Sequence, residues 1–443
     1  MSRLPHFSFD SATSRLQVLG RIVPLFVLLL TCLTWPLWWG DRSFPLIPLL
    51  PGLGSCPLWI DRGLVLLLIP ALLGISLVPE HSPIRNKLFL IAPSLILLLV
   101  ILNQHRIQTW SYQYGLMLLL IGCRSPSNKS PVSSEGLSPE RIILLFRFLI
   151  ASIYIYSALS KLDMHFISGG GFFLSKSMLD LLGIDYRFWS ETKLSYFTCL
   201  LPMFELLVGF GLLFRRTRTF ALTGSLLLHL ALLSILGPLG LNHSNGVLAW
   251  NACFIVQNLI LFRFTRRSQP EVSTSSETDS VSMSTSVGGK KRFAAYSLFG
   301  LAILLPLLEP WGFCDHWLGW AVYTSRQERF LLLMEETDQQ PFPEELLPHL
   351  SPPEPLTSAR RLNLNSWSLQ TCHVPVYPQT RFQWGLWLDL HRRYPQLKMQ
   401  AILERPLDRL STDRQTETFS SNEQIEALHA HFMLNSVPRF LPE

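Results

Sequence analysis

Residues 142–160 read IILLFRFLIASIYIYSALS, an apolar run interrupted only by Arg147 and closed by Lys161. A helix rises 1.5 Å per residue, so about 20 mostly apolar residues cross a hydrocarbon core ~30 Å thick. The run has that length and carries no turn signal, which predicts a transmembrane helix. Working outward, similar runs occur at 22–39, 63–78, 88–102, 107–122, 194–214, 219–237, 247–262 and 293–308. The fold class this predicts is an all-α polytopic membrane helix bundle of about nine transmembrane helices, with a small α+β extracytoplasmic C-terminal domain. The 443 residues are 48% hydrophobic and only 15% charged, against about 25% charged in soluble domains. The first run carries Trp35 and Trp38 and no small-residue cleavage site, so it reads as a span and not as a removable signal.

The formal charge of +6 does not point to nucleic acid, because the basic residues sit at the ends of the apolar runs. Positive charge accumulates in cytoplasmic loops. With the amino terminus inside (Arg3, Arg15, Arg21), alternate loops hold Arg85 and Lys87, then Arg124, Lys129 and Arg141, then Arg215, Arg216 and Arg218. The last such loop holds Arg263, Arg266, Arg267, Lys290, Lys291 and Arg292. The intervening loops are poor in Lys and Arg. The pattern predicts a multi-pass protein of the cell (inner or plasma) membrane with a cytoplasmic N-terminus, 1–21, and the final domain outside.

The organisation expected is a helix bundle over 22–265, a disordered cytoplasmic linker over 266–292, a last span over 293–310 and a soluble domain over 311–443. The linker core is rich in Ser and Thr and buries too little apolar surface to fold. In the tail, 320–323 and 330–333 look like strands, 398–404 alternates as a half-buried strand, and 382–394 reads as an amphipathic helix. Ser421 and Gln424 resemble a capping box opening a helix to about Asn435. The loop from Gly169 to Lys193 is long, partly helical over 176–182, and able to cover an outward-facing site. The seven cysteines form no CxxC pair, so no metal site is indicated. Cys56, Cys314 and Cys372 fall outside, which allows one disulfide. His429 and His431 lie two apart on a predicted helix, hence on different faces.

Ionisable and amide groups inside the runs are the candidate functional residues, since burying them in lipid is costly. Glu205 and His229 lie at matching depths, within roughly 2 Å, on two helices joined by a tight turn. A Glu–His contact follows, either as a proton relay or as a structural hydrogen bond locking the helices. Tyr154, Ser157 and Lys161 share one helix face, with Arg147 on the same stripe. Lys161 is either a desolvated base or a snorkelling interface lysine. Asn251 and Asn258 share a face of the eighth run, with Gln257 beside them and Trp250 toward the outer end. Such amides act as interhelical glue or as ligand contacts. Trp35, Trp38, Trp39 and Trp110 read as interfacial anchors.

Ser160-Lys161-Leu162-Asp163, followed by Phe166 and Gly169, resembles the Lys-Leu-Asp segment of vitamin K-dependent γ-carboxylases and their HTTM-domain relatives. The run from Glu205 to Phe214, then Arg218 and His229, looks like that family's next hairpin. Gln104–Tyr114 also resembles a segment of DoxX- or MauE-like membrane proteins. The likeness covers about 90–265. It implies a quinone as cofactor or substrate, with Lys161 as the base that meets it at the outer face; on the enzyme-like reading of the residues, Glu205 and His229 would be the remaining catalytic groups, acting as a relay. Arg147, Tyr154, Ser157, Trp250 and Asn251 would line the substrate. Two departures stand out: the family's Trp after the motif is Phe166, and the large lumenal domain is replaced by a much smaller tail, so glutamate carboxylation does not follow. Two function classes are therefore carried forward. One is a quinone-associated core acting on a lipid-soluble substrate at the outer leaflet. The other is a non-catalytic scaffold or redox-accessory module that docks an extracytoplasmic protein partner through its tail.

Overall fold

The computed structural model describes residues 11–125, 136–263, 288–337, 341–355, 357–420, 424 and 432–440. The chain opens with α1 (Ala12–Leu33), capped by the Ser11 hydroxyl, which accepts from the Ser14 N–H. A break at Thr34 divides it from α2 (Trp35–Trp39), so the expected first run becomes two helices. Then follow α3 (Leu58–Leu77), α4 (Pro83–Leu102) and α5 (Thr109–Gly122). Next come α6 (Pro139–Lys161), α7 (Met164–Ser168), α8 (Gly170–Leu181), α9 (Glu191–Leu213), α10 (Arg218–Leu236), α11 (Asn245–Phe262) and α12 (Gly288–Leu304). Ser138 and Ser190 cap α6 and α9 in the same way as Ser11, and Asp163 caps α7.

Among the described residues, eight helices are long and apolar enough to cross a membrane; α5, with 14 residues, is not one of them. At 1.5 Å per residue α5 is about 21 Å long, so the predicted fourth span is shorter than its neighbours. Its ends nevertheless lie at opposite faces of the bundle. The turn before it meets the tail domain, while a side chain at Gly122 would meet Leu90 and Phe89 near the start of α4.

One face of the bundle collects the basic residues, and many of them bind helix-end carbonyls. Arg15 donates to the carbonyls of Ile260 (2.9 Å) and Leu261 (3.0 Å), and Arg147 to that of Leu261 (2.8 Å), which closes the C-terminus of α11. Arg85 does the same for α3 at Ile75 (2.7 Å), and Arg218 for α9 at Leu212 (3.2 Å). The last four carbonyls of a helix lack partners within it, and cations are favoured there. These arginines therefore have a structural use besides any role in orientation.

The opposite face carries the tail domain. Its sheet is antiparallel in the order β2-β1-β3-β4, from β1 (Arg329–Glu335), β2 (Arg360–Leu362), β3 (Lys398–Pro406) and β4 (Arg414–Phe419). The helices α13 (Leu364–Cys372) and α14 (Thr380–Arg393) complete an α+β unit. Alternate residues Phe330, Leu332 and Met334 of β1 and Met399, Ala401 and Leu403 of β3 are buried. Trp384 and Trp387 of α14 pack perpendicular to each other at 4.8 Å and close over Phe330.

Three expectations are corrected here. Residues 320–323 are not a strand: Trp320 and Tyr323 have positive φ (59° and 61°), and the backbone closes on itself in turns, Ala321 N–H to His316 and Val322 N–H to Trp320. All seven cysteines are free, Cys56, Cys314 and Cys372 included, and burial pushes the thiols of Cys314 and Cys372 up to about 12. Trp38 and Trp110 are buried, packed against each other at 5.4 Å, and are not surface anchors. Of the linker expected over 266–292, residues 266–287 lie outside the described residues, whereas 288–292 form the start of α12, so the last helix begins earlier than expected. The capping residue Ser421 and His429 and His431 also lie outside the described residues. The helix expected there does not reach Asn435, which sits in an irregular segment.

Candidate functional site

The predicted catalytic residues fall into two clusters. Lys161, in the last turn of α6, donates to Ser157 Oγ (2.7 Å) and to Glu205 Oε2 (2.8 Å) on α9. Both charged side chains are largely buried, at 12% and 14% exposure. The shared face of Ser157 and Lys161 is as the sequence indicates. The partner of Glu205 is Lys161, however, and the expected Glu205–His229 contact does not form. Equal depth does not fix helix rotation, and α6 lies against α9 closely enough that a side chain at Gly209 would meet Tyr154 and Ile155.

His229 sits in the second cluster with both ring nitrogens engaged. Nε2 lies 2.6 Å from Tyr154 Oη and Nδ1 lies 2.8 Å from Asn251 Oδ1. Asn258 Nδ2 donates to Tyr154 Oη (2.8 Å), and Asn251 Nδ2 to the Val247 carbonyl (2.9 Å). These contacts fix the direction of every proton. Asn251 Oδ1 can only accept, so His229 Nδ1 carries the ring proton; Nε2 of the neutral ring then accepts the Tyr154 hydroxyl hydrogen, while Tyr154 Oη accepts from Asn258. The chain of bonds runs one way from Asn258 to Val247, with Phe254 stacked on the imidazole at 4.8 Å. It ties α6, α10 and α11 together and leaves no lone pair of His229 open to a substrate. A second one-way chain runs from Trp250 Nε1 to Gln113 Oε1 (3.0 Å) and from Gln113 Nε2 to Gln257 Oε1 (3.0 Å). Arg147, at the basic end of α6, belongs to neither cluster.

None of the described cavities is lined by Lys161, Glu205 or His229. Of the predicted residues, Trp250 alone lines one: a space of about 340 Å³ between the helix bundle and the tail domain. The bundle contributes Thr34, Gln108, Thr109, Trp110 and His243, and the domain contributes Trp317, Tyr323, Asn365 and Gln383. No Asp, Glu, Lys or Arg is among its lining residues. Burial shifts the His243 imidazole below its ordinary range, which favours the neutral ring. Pockets of about 300–1,000 Å³ with aromatic walls and a few convergent polar groups are the usual form of small-molecule sites.

The junction beside the cavity is held by buried polar contacts, and the residues that make them were not among the candidate site residues read from the sequence. Asn103-Gln104-His105-Arg106, which lie between two of the expected spans and overlap the stretch likened to DoxX- or MauE-like proteins, are buried. Arg106 donates to the carbonyls of Leu37 (3.0 Å), Trp38 (2.9 Å) and Leu99 (3.1 Å), and pairs with Asp61. Arg439 reaches the other oxygen of Asp61 at 2.8 Å. Gln104 binds Pro48, Asn435 and Arg381. His105 lies 3.0 Å from the Pro375 carbonyl and packs against Phe44 and Phe382; burial lowers its pKa to about 4. The available signal was a dense polar quartet between two apolar runs.

The chain matches no protein-family model, no curated protein and no solved structure, so its function is argued from this geometry.

Proposed function

We propose that the chain is a multi-pass membrane protein, with its basic face cytoplasmic and its tail domain outside, that binds an uncharged, lipid-soluble molecule of quinone type in the junction cavity. The observation that carries this reading is the wall of tryptophan, tyrosine, amide and hydroxyl groups with no charged side chain. Such a wall suits a planar ring bearing carbonyl oxygens, which offers faces for stacking and acceptors for amide N–H groups. A charged ligand would find no counter-charge there. The position between apolar helices and a polar domain suits a molecule that arrives from the bilayer and presents its polar ring outward.

Trp250 and Trp317 line the cavity, so intrinsic fluorescence reports occupancy. Titration of the protein in nanodiscs with a short-chain benzoquinone is expected to quench saturably. Val247→Trp, which fills the space, is expected to raise the Kd at least tenfold. Equal quenching of wild type and variant would overturn the assignment.

A second reading is favoured by the Lys161–Glu205 pair. It places an exchangeable proton at the outer end of α6, below α7 and α8, and in the carboxylase-like reading Lys161 acts there as base. Under it, Lys161→Ala abolishes quinone turnover while leaving the protein abundant, and retained turnover removes it. The one-way bonding of His229 supports a positioning role: it holds α11, and with it Trp250, against the cavity.

A further inference from the structure

A larger cavity, of about 740 Å³, lies between the end of α12 and the outer edge of the sheet. Four carboxylates line it, and each is already satisfied. Glu309 holds His316 Nδ1 (2.7 Å) and Arg326 (2.6 Å). Asp315 accepts from Arg381 Nη1 (2.8 Å) and from Tyr377. Glu328 accepts from Arg405 (3.0 Å) and Thr380. Asp408 accepts from the backbone N–H groups of Leu410 (2.6 Å) and Ser411 (2.7 Å). One lining cation stands apart: the Arg409 guanidinium makes no hydrogen bond or ion pair among the described residues, and it is exposed. His316 Nδ1 is turned to Glu309, which leaves its Nε2 edge without a protein partner among those residues.

The height of this cavity is fixed by a backbone bond. Met164 N–H, just beyond the end of α6, donates to the Arg409 carbonyl at 2.9 Å. The β3–β4 loop is therefore level with the end of a membrane-length helix. Around it stand apolar side chains left uncovered among the described residues: Leu410 is 88% exposed, Trp311 is 70% exposed, and Leu407, Phe313 and Met433 are exposed on the cavity rim. Apolar residues interleaved with arginine at the level of the helix ends are the chemistry of the head-group layer, where aromatic rings anchor and arginines meet phosphates.

We propose that this cavity takes the phosphate-bearing head group of a membrane phospholipid, with the phosphate on Arg409 and, in the imidazolium form, on the Nε2–H of His316, and the acyl chains against Phe313, Leu407 and Leu410. A guanidinium fork matches phosphate oxygens in pairs, which an ammonium does not. The site shares only Gln327 with the junction cavity and depends only on the helices crossing a bilayer; a neutral ring has no use for it.

The test uses the full chain in detergent and native mass spectrometry with phosphatidylglycerol, an uncharged glycolipid and inorganic phosphate. One phosphatidylglycerol is expected to be retained per chain, the glycolipid is expected not to be, and millimolar inorganic phosphate is expected not to displace the phospholipid. Arg409→Gln, at an exposed position that folding does not depend on, is expected to weaken retention about tenfold, with Arg409→Lys in between. Equal retention by Arg409→Gln overturns the site. Displacement by inorganic phosphate overturns the lipid as its source. In nanodiscs, Leu410→Trp is expected to be quenched by brominated acyl chains while Leu347→Trp is not; an unquenched Leu410→Trp places the rim away from lipid and contradicts the proposal.

Discussion

Apart from the Lys161–Glu205 pair at the end of α6, the polar groups within the helix bundle and those at its junction with the tail domain are satisfied in opposite ways. Inside, Tyr154, His229, Asn251 and Asn258 form a chain of neutral donors and acceptors, each bond pointing the same way. At the junction, Asp61 lies between Arg106 and Arg439 with all three side chains fully buried. Neutral chains cost little to bury and can be trimmed one bond at a time. A buried charge has no such tolerance, because removing its partner strands it. The difference teaches where cooperativity resides: the helices pack by many small terms, while the domain is joined to them by a few large ones.

The largest effect expected is at Asp61. Asp61→Asn leaves two guanidinium groups buried without a carboxylate, which costs about 3–5 kcal/mol. The tail domain should become open to limited proteolysis while the helical content by circular dichroism is kept. Loss of helix together with the domain would break the comparison.

Acid should act on the same seam. His105 is neutral in the docked state down to about pH 4, whereas an exposed imidazole protonates near 6.5. Between these values the undocked state takes up a proton that the docked state refuses. Docking is therefore complete above about pH 6.5, weakens as the pH falls toward 4, and levels off below, for a total of roughly 3 kcal/mol. In His105→Phe this slope should vanish from a plot of melting temperature against pH.

How much of this was legible beforehand differs by region. The apolar runs announced the helices, because length and hydropathy decide membrane-scale helices without help from tertiary contacts. The alternation at Met399, Ala401 and Leu403 likewise announced β3. The junction was hidden: Gln104, His105 and Arg106 meet Asn435, Pro375 and Asp61 across long stretches of chain, and no local pattern encodes such pairings. The Glu205 contact was misread for a related reason. Depth along a helix follows from counting residues, but rotation about its axis is set by neighbours, here by the closeness of α6 and α9 at Gly209. Trp110 was taken for an anchor because tryptophan at the end of a run usually is one, but here it is buried against Trp38.

A smaller effect is expected at Gly385, where α14 comes up against the loop after α2 and the C-terminal segment. A side-chain carbon there would lie 2.5 Å from Ile47 Cδ1 and from the Ser436 carbonyl. Gly385→Val should overpack the seam by about 1–3 kcal/mol, lowering the first thermal transition without changing that of the bundle. The smallest effect belongs to the bundle interior. Tyr154→Phe removes two bonds of the neutral chain and should cost only about 1 kcal/mol. A cost as large as that of Asp61→Asn would erase the distinction between the two regions.

The central claim is that the junction cavity, and not the Lys161 cluster, receives the ligand. Photo-crosslinking with an azido-benzoquinone, followed by peptide mapping, tests it directly. The account predicts saturable labelling of residues 243–250 and 365–378, suppressed in Val247→Trp. Labelling concentrated on 154–161 and 200–209, unchanged by that variant, would contradict it.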